Sequence, residues 1–184
     1  MRQPIDTLRR GALPEMPEIT VHAIVPADLP EVLALHARAF GPGRFARASY
    51  RVREGTAPTS RFCLLARVNG ELVASIRFTE IMIGGKPGAL LLGPLAVETR
   101  YRGLGYAKRL VADGLANAKA AGIAVVVLVG DEPYYGQLGF KRVPPGRIRM
   151  PGPVDPARML ACELQEGALA EYQGMVEATP APAA

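Results

Sequence analysis

The chain has 184 residues, enough for one domain with a substantial core and no need of disulfide or metal staples. Apolar residues make up 49% and charged residues 21%, which excludes a largely disordered chain. Glycine (20) and proline (17) are plentiful but follow no fixed period, which excludes collagen-like and repeat folds; the net charge of +5 favours anionic partners without choosing among nucleic acid, a membrane and a phosphorylated cofactor. The longest purely apolar run, residues 123–129, is too short to cross a bilayer, and Arg9, Arg10 and Pro14 stand where a signal peptide needs its apolar stretch. Cys63 and Cys162 form no C-x-x-C pair, and two histidines (His22, His36) are too few for a structural zinc site. No metal is therefore expected, and the reducing cytoplasm is the expected compartment.

Residues 1–16 lack an apolar period and read as a flexible N-terminal arm. The body opens with Ile19, Val21, Ala23 and Val25 alternating as in a half-buried strand. Asp28 and Glu31 then predict a helix start, with Leu29, Val32, Leu33, His36, Ala37 and Phe40 on its inner face. A second helix is expected over residues 44–54, stopped by Gly55. Two strand-like runs, 62–68 and 72–83, meet at Asn69-Gly70, the dipeptide a type I′ hairpin turn prefers. A glycine-rich loop leads into an apolar strand over 89–97, where Gly93-Pro94 predicts a bulge or a splayed strand. A helix over 105–121 follows, with Ala107, Leu110, Val111, Gly114, Leu115 and Ala118 facing inward and Gly122 as its stop. The run 123–129 reads as a buried strand, followed by a short helix from Pro133, a strand near Phe140 and a last strand over 158–164. From Gly174 the composition turns to Ala, Thr and Pro and is expected to add nothing to the core. The order predicts a mixed α/β sheet of about seven strands with helices on both faces. The expected division is an arm (1–16), one domain (17–166) and a C-terminal extension (167–184) disordered at its end.

Chemistry concentrates in Val97-Glu-Thr-Arg-Tyr-Arg-Gly-Leu-Gly-Tyr-Ala107, a basic glycine turn between a strand and a helix N-terminus. Such a turn presents backbone N–H groups where the helix dipole is positive, which suits phosphate oxygens. Gly103 and Gly105 permit close backbone approach, and Arg100, Arg102, Lys108 and Arg109 add charge. It is neither a Walker A loop nor a dinucleotide fingerprint, since Lys108 stands where the latter needs Gly or Ala. A glycine-rich connection that binds nothing is the alternative at this point.

Arg102-Gly-Leu-Gly105-Tyr-Ala107 is similar to the [QR]-x-x-G-x-[GA] signature of the GCN5-related N-acetyltransferases (GNAT). Leu92-Gly-Pro-Leu-Ala-Val97 before it and Asp131-Glu-Pro-Tyr-Tyr-Gly-Gln-Leu-Gly-Phe140 after it extend the resemblance. The combination looks most like the bacterial YhbS-like predicted acetyltransferases, over roughly residues 19–164. The resemblance implies a GNAT fold whose acetyl-CoA lies where the strand holding Leu95, Ala96 and Val97 parts from the run 123–129. It implies that Leu95 and Val97 meet the pantetheine and thioester, and that the amides of Arg102, Gly103, Leu104, Gly105, Tyr106 and Ala107 cradle the pyrophosphate. The implied reaction is direct attack of a primary amine, on a small molecule or a peptide, with loss of a CoA thiolate. Tyr135 matches the family's usual general-acid tyrosine; the plain alternative is packing beside the cofactor while water supplies the proton.

Histone-modifying relatives carry a glutamate base six residues before Val97, where this chain has Leu91. Glu80 and His36 are the substitutes on hand, with plainer readings as a solvated strand-end residue and a packing histidine. The missing glutamate keeps open a non-catalytic acyl-CoA-binding or regulatory module. Arg44, Arg47, Arg51 and Arg53 border the expected acceptor side and read as a solvated basic face, with attraction of an anion as the other reading. Nucleic acid is an unsuitable partner, because basic residues are scattered and aromatics make up only 6%. No membrane partner is expected. A homodimer is in keeping with the family, and Tyr172 and Met175 either dock on the body or pair with a second copy.

Overall fold

The computed structural model describes residues 19–180, so the arm expected over 1–16 lies outside the described residues. Nine strands are present among these: β1 (Ile19–Ala23), β2 (Leu64–Val68), β3 (Glu71–Ile83), β4 (Lys86–Val97), β5 (Val125–Val129), β6 (Lys141–Arg142), β7 (Ile148–Arg149), β8 (Met159–Glu163) and β9 (Gly174–Ala178). The helices are α1 (Leu29–Phe40), α2 (Ala48–Val52), α3 (Tyr106–Ala120) and α4 (Glu132–Tyr135). The sheet has nine strands, two more than expected: seven follow one path, β1-β2-β3-β4-β5-β8-β6, while β9 pairs with β3 and β7 with β9. Only β4 and β5 are parallel on that path, as they must be when the helix α3 carries the chain back across the sheet.

The β2–β3 hairpin turns at Asn69 (φ 48°) and Gly70 (φ 81°), the paired positive φ of a type I′ turn. One face of the sheet packs on α3 through Ile76, Phe78, Leu110, Val111 and Ala118. The other carries α1, through Val32 and Leu35, and α2, through Ala48 and Val52. Gly114 explains how closely α3 approaches: a Cβ there would lie 2.4 Å from the fully buried Phe78 ring. In an exposed helix Gly→Ala adds about 1 kcal/mol of stability. Here overpacking reverses the sign, and Gly114→Ala should cost about 1–3 kcal/mol. A urea midpoint that rises instead would refute this.

Five local expectations need correction. The helix over 44–54 is broken into a 3-10 turn (Pro42–Ala46) and α2, with Arg47 extended between them (ψ 140°). Only Ala48 and Val52, one turn apart, bury an apolar face there, too little to hold a longer helix. At α1, Leu35 is buried and Leu33 is exposed, so the buried stripe runs through Val32, Leu35 and His36. Asp28 does not cap forward; its carboxylate accepts from the Val25 N–H (3.0 Å) and pairs with Arg67 (3.1 Å). The strand β1 is the outermost one, so Ile19 is 52% exposed and only Val21 reaches the core. The last strand corrects the C-terminal expectation. β9 pairs antiparallel with Ile81, Met82 and Ile83 of β3, and Val176 and Tyr172 are buried. The pairing of β2 with β3 reaches only Ile76, so the far end of β3 offers free backbone groups that β9 (Gly-Met-Val-Glu-Ala) satisfies, with Val176 as its buried anchor. Tyr172 therefore docks on its own body, its hydroxyl donating to the Pro87 carbonyl (2.8 Å).

Candidate active site

The ladder between β4 and β5 stops early. Pairing runs from Ala89↔Val125 to Leu91↔Val127, after which β5 continues beside β8 while β4 stays on β3. The divergence begins at the Gly93-Pro94 step, a cis peptide, where the register of β4 against β3 slips by one residue between Leu92 and Leu95. That is the bulge the sequence predicts. The β5-facing edge of β4 beyond Leu91 thus has no strand partner, and a cleft of about 350 Å³ opens there. Leu95, Ala96, Val97, Arg102, Gly103 and Ala107 line it, together with Tyr135.

The glycine turn closes one end of the cleft. Gly103 (φ 80°) and Gly105 (φ 90°) hold left-handed conformations that side chains resist, and a Cβ at either would project into open space. The first carbonyl to accept in α3 is that of Gly105, from the Arg109 N–H (3.0 Å). The Arg102 amide donates to the Thr99 carbonyl (3.3 Å), whereas those from Gly103 to Lys108 remain available to an anion at the positive end of the dipole. Leu104 is 64% exposed, while Tyr106 packs inward edge-on to Tyr101; with Gly105, these two belong to the turn but not to the cleft lining. Of the four basic residues, Arg100 pairs with Glu71, and Arg109 pairs with Asp113 (2.6 Å). Arg102 donates to the Val97 carbonyl (3.4 Å) and Lys108 to Gln137 (3.1 Å), so these two keep an uncompensated charge beside the turn.

Tyr135 ends α4 and packs edge-on between Tyr134 and Phe140 at ring distances of 4.9 and 5.8 Å. Burial above all, with the negative neighbours Tyr134 and Asp131, pushes its hydroxyl up to about 12. The phenol is therefore a proton-bearing donor at every working pH. Its position depends on Gly130, which sequence reasoning missed: a Cβ there would lie 2.5 Å from the Tyr135 ring and 2.8 Å from Leu128. Ala39 and Phe40 of α1 and Tyr134 also line the cleft, and none of them belongs to a motif.

Neither base candidate reaches the cleft lining. Glu80 is exposed and lies 3.5 Å from Arg61, beside a separate cavity between the segment 54–61 and the end of β9. His36 is buried on the α1 face, its Nε2 2.9 Å from the Ser75 hydroxyl. Leu91, where relatives hold a glutamate, is fully buried. The four-arginine reading divides: Arg47 and Arg51 are exposed, but Arg53 is 6% exposed. Both cysteines are free and buried.

The family described as "Acetyltransferase (GNAT) domain" matches residues 20–143, two thirds of the chain. The chain belongs to the GNAT acetyltransferases. This GNAT enzyme is 29% identical over 158 residues to the "Uncharacterized N-acetyltransferase YhbS" of Escherichia coli K12, covering 83% of this chain and 92% of that one. The crystal structure of Escherichia coli YhbS in complex with CoA superposes with a TM-score of 0.78 at 26% identity, over 92% of this chain and 94% of its own. A GNAT acetyltransferase from Brucella melitensis in complex with acetyl-CoA gives 0.67, also at 26% identity, over 89% and 97%. Both the GNAT fold and the acyltransferase class expected from the signature are thus shown. Among the described residues no helix is long and apolar enough to cross a membrane, and no group of three or more His, Cys, Asp or Glu side chains is placed to hold a metal.

Proposed function

We propose that this protein is an acetyl-CoA-dependent N-acetyltransferase that binds its donor in the β4–β5 cleft and acetylates a primary amine by direct attack. The observation that carries this reading is the splayed strand pair: a bulged β4 with a free edge, a glycine turn at one end and a phenol on the wall. Acetyl-CoA, when bound, supplies the thioester whose acetyl group passes to the amine. The free backbone groups of Leu95 and Val97 would hold the pantetheine arm as a third strand would. The amides from Gly103 to Ala107 would take the pyrophosphate, with Leu104, Gly105 and Tyr106 contributing backbone only and Arg102, whose own amide donates to the Thr99 carbonyl, adding its charge. A backbone N–H at the bulge would polarise the reacting carbonyl. Tyr135 would give its hydrogen to the departing sulfur.

No carboxylate or imidazole lines the cleft among the described residues. The amine therefore enters as the free base and yields its proton to water, so the rate with a given amine should climb with pH up to that amine's own pKa. The setting is the cytoplasm, which provides acetyl-CoA and keeps Cys63 and Cys162 reduced.

Thermal unfolding with and without acetyl-CoA tests the donor site. At a hundred times its dissociation constant the ligand should stabilise by about 2.7 kcal/mol. For a chain of this length that is roughly 5–10 °C in Tm. Gly105→Val should abolish the shift, since a β-branched residue at φ 90° is strained and would pull the turn out of shape. A folded wild type that shows no shift would reject the donor assignment.

A further inference from the structure

Three arginines and a histidine meet on the sheet face covered by α1 and α2, and no carboxylate meets them. Arg53, the residue after α2, donates from Nε to the Thr79 hydroxyl (3.1 Å) and from Nη1 to the Ser49 carbonyl (3.0 Å). Its guanidinium carbon lies 5.8 Å from the centre of the Tyr50 ring. Its Nη2 is buried with no acceptor at all. That nitrogen faces the bulge of β4: a Cβ built on Gly93 would be 3.8 Å from it. Arg77, two residues before Thr79 on the same face of β3, donates to the Ala57 carbonyl (2.6 Å) and the Thr56 hydroxyl (3.2 Å). Arg44 donates to the Gly41 carbonyl (2.7 Å) and covers Phe45.

Among the described residues none of these three arginines enters an ion pair. The acids of the neighbouring segments are engaged or turned away. Asp28 and Glu31 hold Arg67, Glu80 faces Arg61, and Glu54 is exposed. Burial and the charge of Arg77 pull the Arg53 guanidinium down to about 9, and the same arginines add to the burial that keeps His36 neutral. Burying a cation without a counter-charge is costly, and Nη2 has given up water for nothing. The described residues supply no anion here, so a ligand is the natural source.

The place fits the acceptor rather than the donor. Gly93 precedes Leu95 by two residues, across the bulge of β4. The glycine turn, by contrast, opens α3, on the opposite face from α2. Gly93 presents bare backbone to Nη2, with no side chain of its own between that nitrogen and the bulge. One free nitrogen with two N–H bonds suits a carboxylate oxygen better than a phosphate, whose larger charge calls for more donors.

We propose that Arg53, with Arg77 behind it, forms a carboxylate-binding subsite at the Gly93 bulge, and that the acceptor amine of this enzyme carries a carboxylate. The proposal rests on the reading of the β4–β5 cleft as the acetyl-CoA site. An anion at Nη2 would lower the cost of the buried charge and hold the amine of the same molecule beside the bulge, where the reacting carbonyl is expected. Positioning by a distant charged group is how binding energy is turned into rate.

The test is read on Arg53 itself. In nitrogen-15-labelled wild-type protein saturated with acetyl-CoA, the Arg53 Nε–H resonance is followed as sodium propionate, propionamide, sodium sulfate or sodium phosphate is raised to tens of millimolar at constant ionic strength. Saturable movement with propionate and none with propionamide is the expected result. A resonance that ignores propionate overturns the proposal, and one that answers only to sulfate or phosphate overturns the carboxylate assignment. In parallel, amino acids and their amides are compared as acceptors by thiol release. Acids should exceed amides by about 10-fold or more in kcat/KM, and Arg53→Lys should erase that preference while leaving the acetyl-CoA thermal shift intact. Equal or better turnover of the amides overturns the proposal. Should no amine be turned over, or Arg53→Lys not fold, the wild-type titration decides alone. Loss of the acetyl-CoA shift would sink the donor-site reading, whereas a normal shift with a silent Arg53 sinks only this one.

Discussion

Replacing Tyr135 by phenylalanine should lower kcat about 100-fold, with the acetyl-CoA thermal shift unchanged. Phenylalanine keeps the edge-on packing against Tyr134 and Phe140 and removes only the hydroxyl. The size of the effect follows from what the hydroxyl does. With its pKa at about 12, outright transfer of the proton to a thiolate near 8.5 would be uphill by about 5 kcal/mol. That is affordable within a barrier of roughly 14–17 kcal/mol, the range of ordinary turnover numbers, but it favours a hydrogen bond that strengthens as the sulfur leaves. The same value fixes the pH dependence. The folded enzyme keeps the phenol protonated until pH approaches 12, so no descending limb due to Tyr135 should appear below about pH 11. A limb near pH 10 that vanishes in Tyr135→Phe would show that the phenol is far less buried during turnover.

Gly130→Ala provides the companion measurement. Its Cβ must displace the Tyr135 ring, so kcat should fall about 10-fold while the fold stays intact. In the Tyr135→Phe background the same change should add little, because residues that act through one group are not additive. A fall of less than threefold in Tyr135→Phe would mean that water delivers the proton and that the ring only packs.

The parts of the site that were legible in the sequence are those in which local chemistry determines the backbone. Gly103 and Gly105 announce a turn with positive φ, Asn69-Gly70 announces a hairpin, and Gly93-Pro94 announces an interrupted ladder. Each signal is complete within a few residues. The features that were missed depend on distant neighbours. Gly130 carries no motif; its role appears only when Tyr135, five residues on, folds back over it. Ala39 and Phe40 reach the cleft through the packing of α1, and β9 exists because β2 leaves the end of β3 open. Arg53 is the sharpest case. Beside Arg51 in sequence it reads as one more solvated cation, yet the turn after α2 carries it under the helix to Thr79 while Arg51 stays outside. Among the four basic residues of the glycine turn the sequence could not separate those free to meet an anion from those already paired, because Glu71 and Asp113 decide it across space.

The unpaired charge on the α1 face also predicts how the fold responds to acid. His36 is held neutral, its pKa lowered to about 4, first by burial and then by Arg77, Arg44 and Arg53. An unfolded histidine titrates near 6.5. Below that pH the unfolded chain takes up a proton that the folded protein refuses until about pH 4, so acid favours unfolding throughout this window. The stabilisation is therefore complete above pH 6.5 and is lost as pH falls to about 4. A gap of this width corresponds to about 3 kcal/mol, or roughly 6–12 °C in Tm for a chain of this length. Asp28, whose carboxylate is held below its ordinary value by the Val25 N–H and Arg67, loses its contribution only below the window and does not obscure it. In His36→Gln, which can still reach the Ser75 hydroxyl but takes no proton, the decline between pH 6.5 and 4 should flatten by most of that amount, even if the variant starts lower at pH 7. Parallel slopes in the two proteins would show that His36 is solvated and that the arginines around it exert no field.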